Sequence, residues 1–416
     1  MRHSLSIIRR LGDWPDITEP GLGRASFSVQ KTASFMLAQT AIFGEYRRSI
    51  FLAPDIHNMT KAAICRQFDS PLSFEEVDIA PATGHAMKVK IEACAICHSD
   101  ITYMRGGWGG SPPLLFGHEA AGTILETGHD VTSFRPGDRV VVTLMRSCGT
   151  CPSCADELEA ICAAPPTIDA HITDSDSNAV IPAMNTGAFA EEVLVHERQC
   201  IAIPDSLGFE EASLLGCGVI TGFGAVSRVA NVQSGETLAV IGVGGIGINA
   251  IQAARLAKAK TIMAIDTAAD KAALIREVGA TDFINPMTED ALAAVMAATD
   301  GKGLDYVFVG VGASKAIESA LPMVRAGGTI VIMGMPHSDD LAQIDMADLS
   351  GSAKTIIGTK MGSAMIRDDI PKLIAHHENG TIELSRLISH RFTFDNLNEA
   401  IEMAASPQSS RVVVTF

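Results

Sequence analysis

Hydrophobic and polar positions change their rhythm twice along residues 59–416. From residue 59 to about 218, short apolar runs alternate with polar residues and are broken by Gly and Pro, as in 61–65 (KAAIC), 77–79, 87–92 (MKVKIE) and 139–144 (RVVVTL). This two-residue period predicts short, half-buried strands and an all-β first domain. From about 219 to 361, apolar strands alternate with helical stretches: strand 237–241, helix 247–257, strand 261–265, helix 269–278, then strands 306–309 and 329–333. Alternation of that kind builds a parallel sheet from βαβ units. Residues 362–416 return to a mixed pattern ending in a strand at 411–416, and most of this tail is expected to rejoin the first domain. No fixed-period repeat or low-complexity tract interrupts the pattern.

Residues 1–58 show no clear core pattern. They carry Arg2, Arg9, Arg10, Arg24, Lys31, Arg47 and Arg48 among several serines, a composition shared with transit peptides. The acids Asp13, Asp16, Glu19, Glu45 and Asp55 speak against that reading and favour an upstream start, with Met59 as the working first residue and 1–58 a poorly ordered extension.

Composition narrows the class. At 416 residues the chain is long enough for two domains with their own cores. A net charge of −16 argues against a nucleic-acid or anionic-membrane partner. The most apolar stretch, 238–251, is cut by four glycines and reads as strand, turn and helix rather than a membrane span. Of nine cysteines, four fall within residues 148–162, which suggests metal thiolates in a reducing, cytoplasmic compartment rather than a disulfide scaffold.

Two local motifs carry chemistry. Gly242, Val243, Gly244, Gly245, Ile246 and Gly247 form G-x-G-x-x-G between a predicted strand and helix. The first glycine allows a tight turn, the second lets backbone approach a pyrophosphate, and the third lets helix and strand pack closely. The helix N-terminus then offers free N–H groups to the phosphates. Asp266, nineteen residues beyond Gly247, ends the next strand. A carboxylate there binds ribose hydroxyls and repels a 2′-phosphate, which favours NAD over NADP; a helix N-cap is the alternative. The second motif is Cys148, Cys151, Cys154 and Cys162, spaced C-x2-C-x2-C-x7-C around the turn formers Gly149, Pro152 and Ser153. Four thiolates so close suit a closed, structural zinc site. An iron–sulfur cluster also takes cysteines at short spacing, but the seven-residue gap favours zinc.

Cys97, His118 and Cys217 lie far apart, and nothing local forces them together, although Cys2His with an open fourth position is one known design for catalytic zinc. The surrounding segments resemble those of the zinc-dependent alcohol dehydrogenases of the medium-chain dehydrogenase/reductase family. Cys97-His98-Ser99-Asp100 is similar to the family's catalytic-cysteine segment. Gly117, His118, Glu119, Gly122, Gly128 and Val131 match its G-H-E-x2-G-x5-G-x2-V signature, and Gly216-Cys217-Gly218 with Thr221 and Gly222 resembles the segment of its third ligand. The resemblance covers residues 59–416. It implies an α/β protein with a GroES-like, β-rich catalytic domain (59–218, completed by 362–416) and a Rossmann domain with a doubly wound parallel sheet (219–361), active in the cleft between them.

The same resemblance implies two zinc ions per chain and NAD. Cys97, His118 and Cys217 would hold the catalytic zinc, with Glu119 approaching it from behind or serving as a buried structural carboxylate. Ser99 would take the substrate's proton. Asp100 would orient a zinc ligand or act simply as a helix N-terminal acid. His98 and Thr221 would line the coenzyme cleft, Arg411 would meet the pyrophosphate, and Lys271 would reach the adenosine ribose or remain a solvated helix lysine. Substrates are expected to be small alcohols and aldehydes, and the assembly a homodimer or homotetramer joined through the coenzyme domains, near 329–333.

Departures from the family sharpen the reading. The histidine that ends the proton relay in many relatives, five residues after the catalytic cysteine, is here Thr102. Glutathione-dependent formaldehyde dehydrogenases carry an acid and an arginine where this chain has Trp108 and Pro166. Trp108, Leu144 and Met145 instead suggest a largely apolar pocket for a primary or otherwise uncharged alcohol. Cys65, Cys94 and Cys200 read as small buried residues. The rivals are a nicotinoprotein alcohol dehydrogenase with permanently bound NAD, the glutathione-dependent enzyme, and a non-catalytic member of the fold, against which the intact ligand set weighs.

Overall fold

The computed structural model describes residues 59–169 and 171–416; the readings made for residues 1–58 lie outside them. Three sheets organise the described residues. The first has the order β7-β2-β1-β4-β8, built from β1 (Met59–Cys65), β2 (Ser73–Ile79), β4 (Leu114–Leu115), β7 (Ile172–Asp174) and β8 (Ile181–Pro182). The second runs β10-β6-β5-β3-β18-β17. Its strands are β3 (Ala86–Ile96), β5 (Glu119–Thr127), β6 (Arg139–Val142), β10 (Cys200–Ala202), β17 (Ile388–Thr393) and β18 (Arg411–Thr415), with β9 (Glu192–His196) also paired to β3. The chain's last strand therefore closes against one of its first, with Val412 opposite Ile96 and Thr415 opposite Ala93.

The third sheet is wholly parallel, in the order β13-β12-β11-β14-β15-β16. Its strands are β11 (Thr237–Ile241), β12 (Thr261–Ile265), β13 (Asp282–Ile284), β14 (Leu304–Val309), β15 (Val324–Ile332) and β16 (Thr355–Gly358). Numbered from β11, this is 3-2-1-4-5-6, the doubly wound order of dinucleotide-binding folds, whose ligands sit where the order reverses, here between β11 and β14. Both faces of the sheet are covered. Leu238, Val240, Ile262, Ala264 and Phe308 enter one core, while Ala239, Ile241, Met263, Ile265, Val307 and Val309 enter another. Burial on both faces is why these strands read as unbroken apolar runs.

The pleat of the second sheet aims the candidate site. Along β3, Cys94 and Ile96 face the core of the β-rich region, whereas Ala93, Ala95 and then Cys97 face the core shared with the parallel sheet. In β5 and β6, Ala121 and Val141 take that second face, while Ala120, Val140 and Val142 take the first. Successive residues of a strand point to opposite sides, so the side chains aimed at the coenzyme region are fixed by strand parity.

Two signature glycines maintain this packing. A Cβ on Gly122 would lie 1.9 Å from the Lys90 carbonyl oxygen of β3, and one on Gly128 would lie 2.4 Å from the Gly84 carbonyl oxygen. A methyl at residue 122 has no flexible neighbour to displace. The variant Gly122→Ala is therefore expected to lose about 3 kcal/mol of stability, read as a lower denaturant midpoint; an unchanged midpoint would contradict the close approach of β3 and β5.

Candidate functional site

Cys97 ends the run out of β3 and caps the helix His98–Met104. Asp100, at the third position of that helix, accepts a hydrogen bond from the Cys97 N–H (3.3 Å) with one oxygen. Its other oxygen accepts from the Gly117 N–H (3.1 Å) and from His118 Nδ1 (2.9 Å). Gly117 reaches His118 through a left-handed turn, φ +90°, where a Cβ would press on the Phe189 amide. With Nδ1 held by Asp100, the other ring nitrogen of His118 points inward. Cys217 arrives from a different part of the chain, capping the helix Gly218–Gly224. Gly216 before it packs so closely that a Cβ there would sit 2.9 Å from the Glu119 Cα.

The result is four buried residues, Cys97, His118, Glu119 and Cys217, whose ligand atoms all lie within 4.8 Å of one another. His118 Nε2 and Glu119 Oε1 are buried without a hydrogen-bond partner. Buried polar atoms are ordinarily paired, so two orphans facing two sulfurs mark a place for a cation. The donor set of thiols, imidazole and carboxylate is one that zinc takes. The neighbouring Cys217 thiol and then the His118 imidazole hold the Cys97 thiol well below its ordinary pKa, against the effect of burial. For His118, burial works downward, but the Asp100 carboxylate and Cys97 outweigh it and push the imidazole up to about 10.

Glu119 pairs through its other oxygen with Arg411, at the start of β18, in an ion pair that is almost wholly buried. The Arg411 guanidinium also packs on the glycine turn, where a Cβ on Gly245 would meet its Nη1 at 2.2 Å, and on Gly218. One side chain thus touches both the metal-type cluster and the turn expected to hold phosphates. In that turn Gly242 is left-handed (φ +81°), and a Cβ on Gly247 would strike the Gly242 carbonyl oxygen at 2.2 Å, as close helix–strand packing requires. A Cβ on Gly244 would meet nothing within 4 Å, so this glycine faces the open side. No side chain caps the helix Gly247–Leu256 behind Ile246; the Ile248 and Asn249 N–H groups already donate to the Gly244 and Ile246 carbonyl oxygens (3.0 and 3.1 Å), so an anion there would be met by the turn just ahead of them.

The remaining expected residues surround these two centres. Asp266 accepts hydrogen bonds from the Val243 N–H (2.6 Å) and the Ala268 N–H (2.9 Å), tying the end of β12 to the glycine turn. Lys271 is buried rather than solvated; burial lowers its pKa while Asp266 and Asp270 raise it. Thr221 is buried, its hydroxyl 4.0 Å from Cys217 Sγ. His98 is exposed and Ser99 half-buried on the first turn after Cys97.

The four-cysteine group also assembles. Cys148 Sγ lies 4.0 Å from Cys154 Sγ, and Cys151 Sγ lies 3.5 Å from Cys154 and 3.8 Å from Cys162. Four sulfurs about 2.3 Å from one tetrahedral zinc would be spaced at about 3.8 Å. The N–H groups of Thr150 and Cys151 point at Cys148 Sγ and lower its pKa to about 6.

Two features carried no signal in the sequence. Met361, remote from every motif, places its sulfur 3.5 Å from Cys217 Sγ. The loop after β15 also latches onto the loop after the helix His98–Met104. Ser338 donates to the Gly107 carbonyl oxygen through N–H (3.2 Å) and Oγ (3.0 Å), and Trp108 Nε1 donates to the Pro336 carbonyl oxygen (3.2 Å).

Fold and site together define a two-domain, zinc-binding dehydrogenase. Residues 83–205 match the alcohol dehydrogenase GroES-like domain and residues 245–379 the zinc-binding dehydrogenase domain. The chain is 32% identical over 365 residues to alcohol dehydrogenase 6 of Peromyscus maniculatus, covering 85% of this chain and 97% of that one. Among solved structures, benzyl alcohol dehydrogenase from Acinetobacter calcoaceticus aligns with a TM-score of 0.80 at 26% identity, over 86% of this chain and 99% of that one. A zinc-binding dehydrogenase of Sinorhizobium meliloti bound to NADP aligns with a TM-score of 0.73 at 27% identity, over 86% and 100%. The chain belongs to the zinc-dependent alcohol dehydrogenase family of medium-chain dehydrogenases, oxidoreductases that use zinc and a nicotinamide coenzyme.

Because the Asp100 carboxylate bonds Cys97, Gly117 and His118 together, Asp100→Ala is expected to weaken zinc at this candidate cluster about 10- to 100-fold while the four-cysteine group keeps its ion. Zinc content after graded chelation measures this; equal loss from both groups would contradict the assignment.

Proposed function

We propose that this chain reversibly oxidises a primary or otherwise uncharged alcohol to its aldehyde or ketone with NAD. The observation that carries the reading is the convergence of Cys97, His118, Cys217 and Glu119 on one space, with His118 Nε2 unpaired and Arg411 linking that space to the glycine turn. In this reading Cys97, His118 and Cys217 hold a catalytic zinc, and Glu119 stands behind it. Cys148, Cys151, Cys154 and Cys162 hold a structural one. When bound, zinc supplies Lewis acidity that lowers the pKa of an oxygen ligand, and NAD supplies the hydride acceptor.

The protein's own groups do the rest. Asp100 fixes the His118 tautomer by accepting from Nδ1. Ser99 Oγ receives the substrate's hydroxyl proton, which leaves by the coenzyme ribose, by Thr102 one turn further along the helix His98–Met104, or through water. The Gly242–Gly247 turn and the uncapped helix behind it take the pyrophosphate, with Arg411 Nη1 beside Gly245. His98 and Thr221 border the nicotinamide end of the cleft. Each Asp266 oxygen accepts one backbone bond and keeps a lone pair, enough for ribose hydroxyls, and its charge opposes a 2′-phosphate; Lys271 stands nearby. Leu144, Met145 and Trp108 supply an apolar wall against the substrate chain.

The relative bound to NADP makes the coenzyme with a ribose 2′-phosphate the second reading, and Asp266 is the feature that argues against it. We also infer a homodimer or homotetramer, supported by exposed Met335, Leu341 and Met346 on the coenzyme domain. A cytoplasmic site fits nine cysteines that form no disulfide.

Cys97→Ala is expected to abolish turnover of alcohols with NAD while zinc analysis still finds the ion of the four-cysteine group; retained turnover would sink the assignment. Asp266→Ser is expected to relax coenzyme choice, seen as a raised NADP-to-NAD ratio of kcat/KM, and an unchanged ratio would contradict the role given to that carboxylate.

A further inference from the structure

Met361 lies outside the ligand set, yet its sulfur touches a ligand of the candidate catalytic site. It is buried, with Sδ 3.5 Å from Cys217 Sγ and 3.9 Å from Thr221 Oγ1. Its backbone is unusual. Met361, Gly362 and Ser363 have φ of +53°, +64° and +50°, three left-handed residues in succession, of which only one is glycine. Such backbone persists where its surroundings over-determine it, and it gathers at functional sites.

The surroundings here do over-determine it. Gly362 lies directly on the helix Gly218–Gly224, where a Cβ would sit 2.4 Å from the Thr221 carbonyl oxygen. Reciprocally, a Cβ on Gly224 would sit 2.3 Å from the Gly362 carbonyl oxygen. The turn is closed by the Ser363 N–H on the Lys360 carbonyl oxygen (3.0 Å) and by the hydroxyls of Thr359 and Ser363, 3.1 Å apart. The helix under the turn is the one that Cys217 caps. Two glycines thus dock a turn that follows β16 of the parallel sheet onto the helix carrying a metal ligand, and Met361 is the side chain the turn presents to that ligand.

We propose that Met361 is a positioning residue for the Cys217 thiolate: its apolar, polarizable side chain closes one side of the sulfur, excludes water from it and fixes the rotamer that keeps it beside Cys97 and His118. This rests on the reading of Cys97, His118 and Cys217 as a zinc site. The contact belongs to the coenzyme-side turn, so the metal ligand is braced from the parallel sheet as well as from its own helix. Volume is what the role requires, and leucine supplies it almost as well as methionine.

The test uses the full chain with its native zinc and compares Met361→Ala with Met361→Leu. Zinc release to a colorimetric chelator should occur in two phases, one for each cysteine-containing group. Met361→Ala is expected to speed one phase about tenfold or more, the cost typical of losing a group that supports a metal ligand, and to leave the other unchanged. It should also shift the thiolate-to-metal charge-transfer band of the cobalt-substituted protein, a change that a general loss of packing would not produce. Met361→Leu should behave as wild type in both. An alanine variant with wild-type release and an unmoved band overturns the proposal, as does a leucine variant as labile as the alanine one. Should the alanine variant not fold, Met361→Asn, whose side chain tolerates the left-handed backbone yet is shorter and polar, carries the same expectations. Failure of the underlying site reading looks different: the wild-type chain itself would then release zinc in a single phase.

Discussion

The wholly buried carboxylate of Asp100 is the constraint on which the site depends. Its three hydrogen bonds reach a helix cap, a left-handed glycine and an imidazole, and so join the end of β3 to the start of β5. A buried carboxylate is tolerable only when its oxygens are satisfied, and here the groups that satisfy it are those that must be placed. Removing it would free Cys97 and His118 together, which makes Asp100 more than the helix-terminal acid its position alone suggests.

Arg411 plays the corresponding part between the two chemical centres. A buried ion pair is a poor source of stability because both charges lose their water. The pair of Arg411 with Glu119 is better understood through what it spans, a carboxylate of the candidate metal cluster and the backbone of Gly245. The last strand of the β-rich sheet thereby delivers a cation to the glycine turn that follows β11 of the parallel sheet. The shared core beneath runs from Val240 and Phe308 through Cys217 to Cys97 and Ala95.

Much of the fold was legible in the sequence, for physical reasons. The strands at 237–241 and 261–265 match β11 and β12 to the residue because burial on both faces makes them solidly apolar. β15 starts at Val324, ahead of the 329–333 run, because Arg325, Ala326 and Gly327 are exposed and leave no apolar trace. β4 and β8, two residues each, are too short for any period. At the site, the four-cysteine group and the glycine turn were legible because their geometry is local. Cys97, His118 and Cys217 became legible only through family likeness, since tertiary packing alone unites them. Met361 and the Trp108–Pro336 latch have neither local spacing nor a motif, and only coordinates reveal them.

The alternation along β3 sets a limit on how this protein can change. Ala93, Ala95 and Cys97 share one face, and Cys94 and Ile96 the other, so the candidate metal ligand is specified by an odd–even count as much as by its identity. A conservative exchange within β3 leaves that count alone. Adding or deleting a single residue between the pairing with β5 and Cys97 would turn the thiol into the neighbouring core, since a one-residue slip reverses every side chain. The register shifts that β3 does carry, between Lys88 and Val89 and between Ile91 and Ala93, all lie upstream of that short stretch.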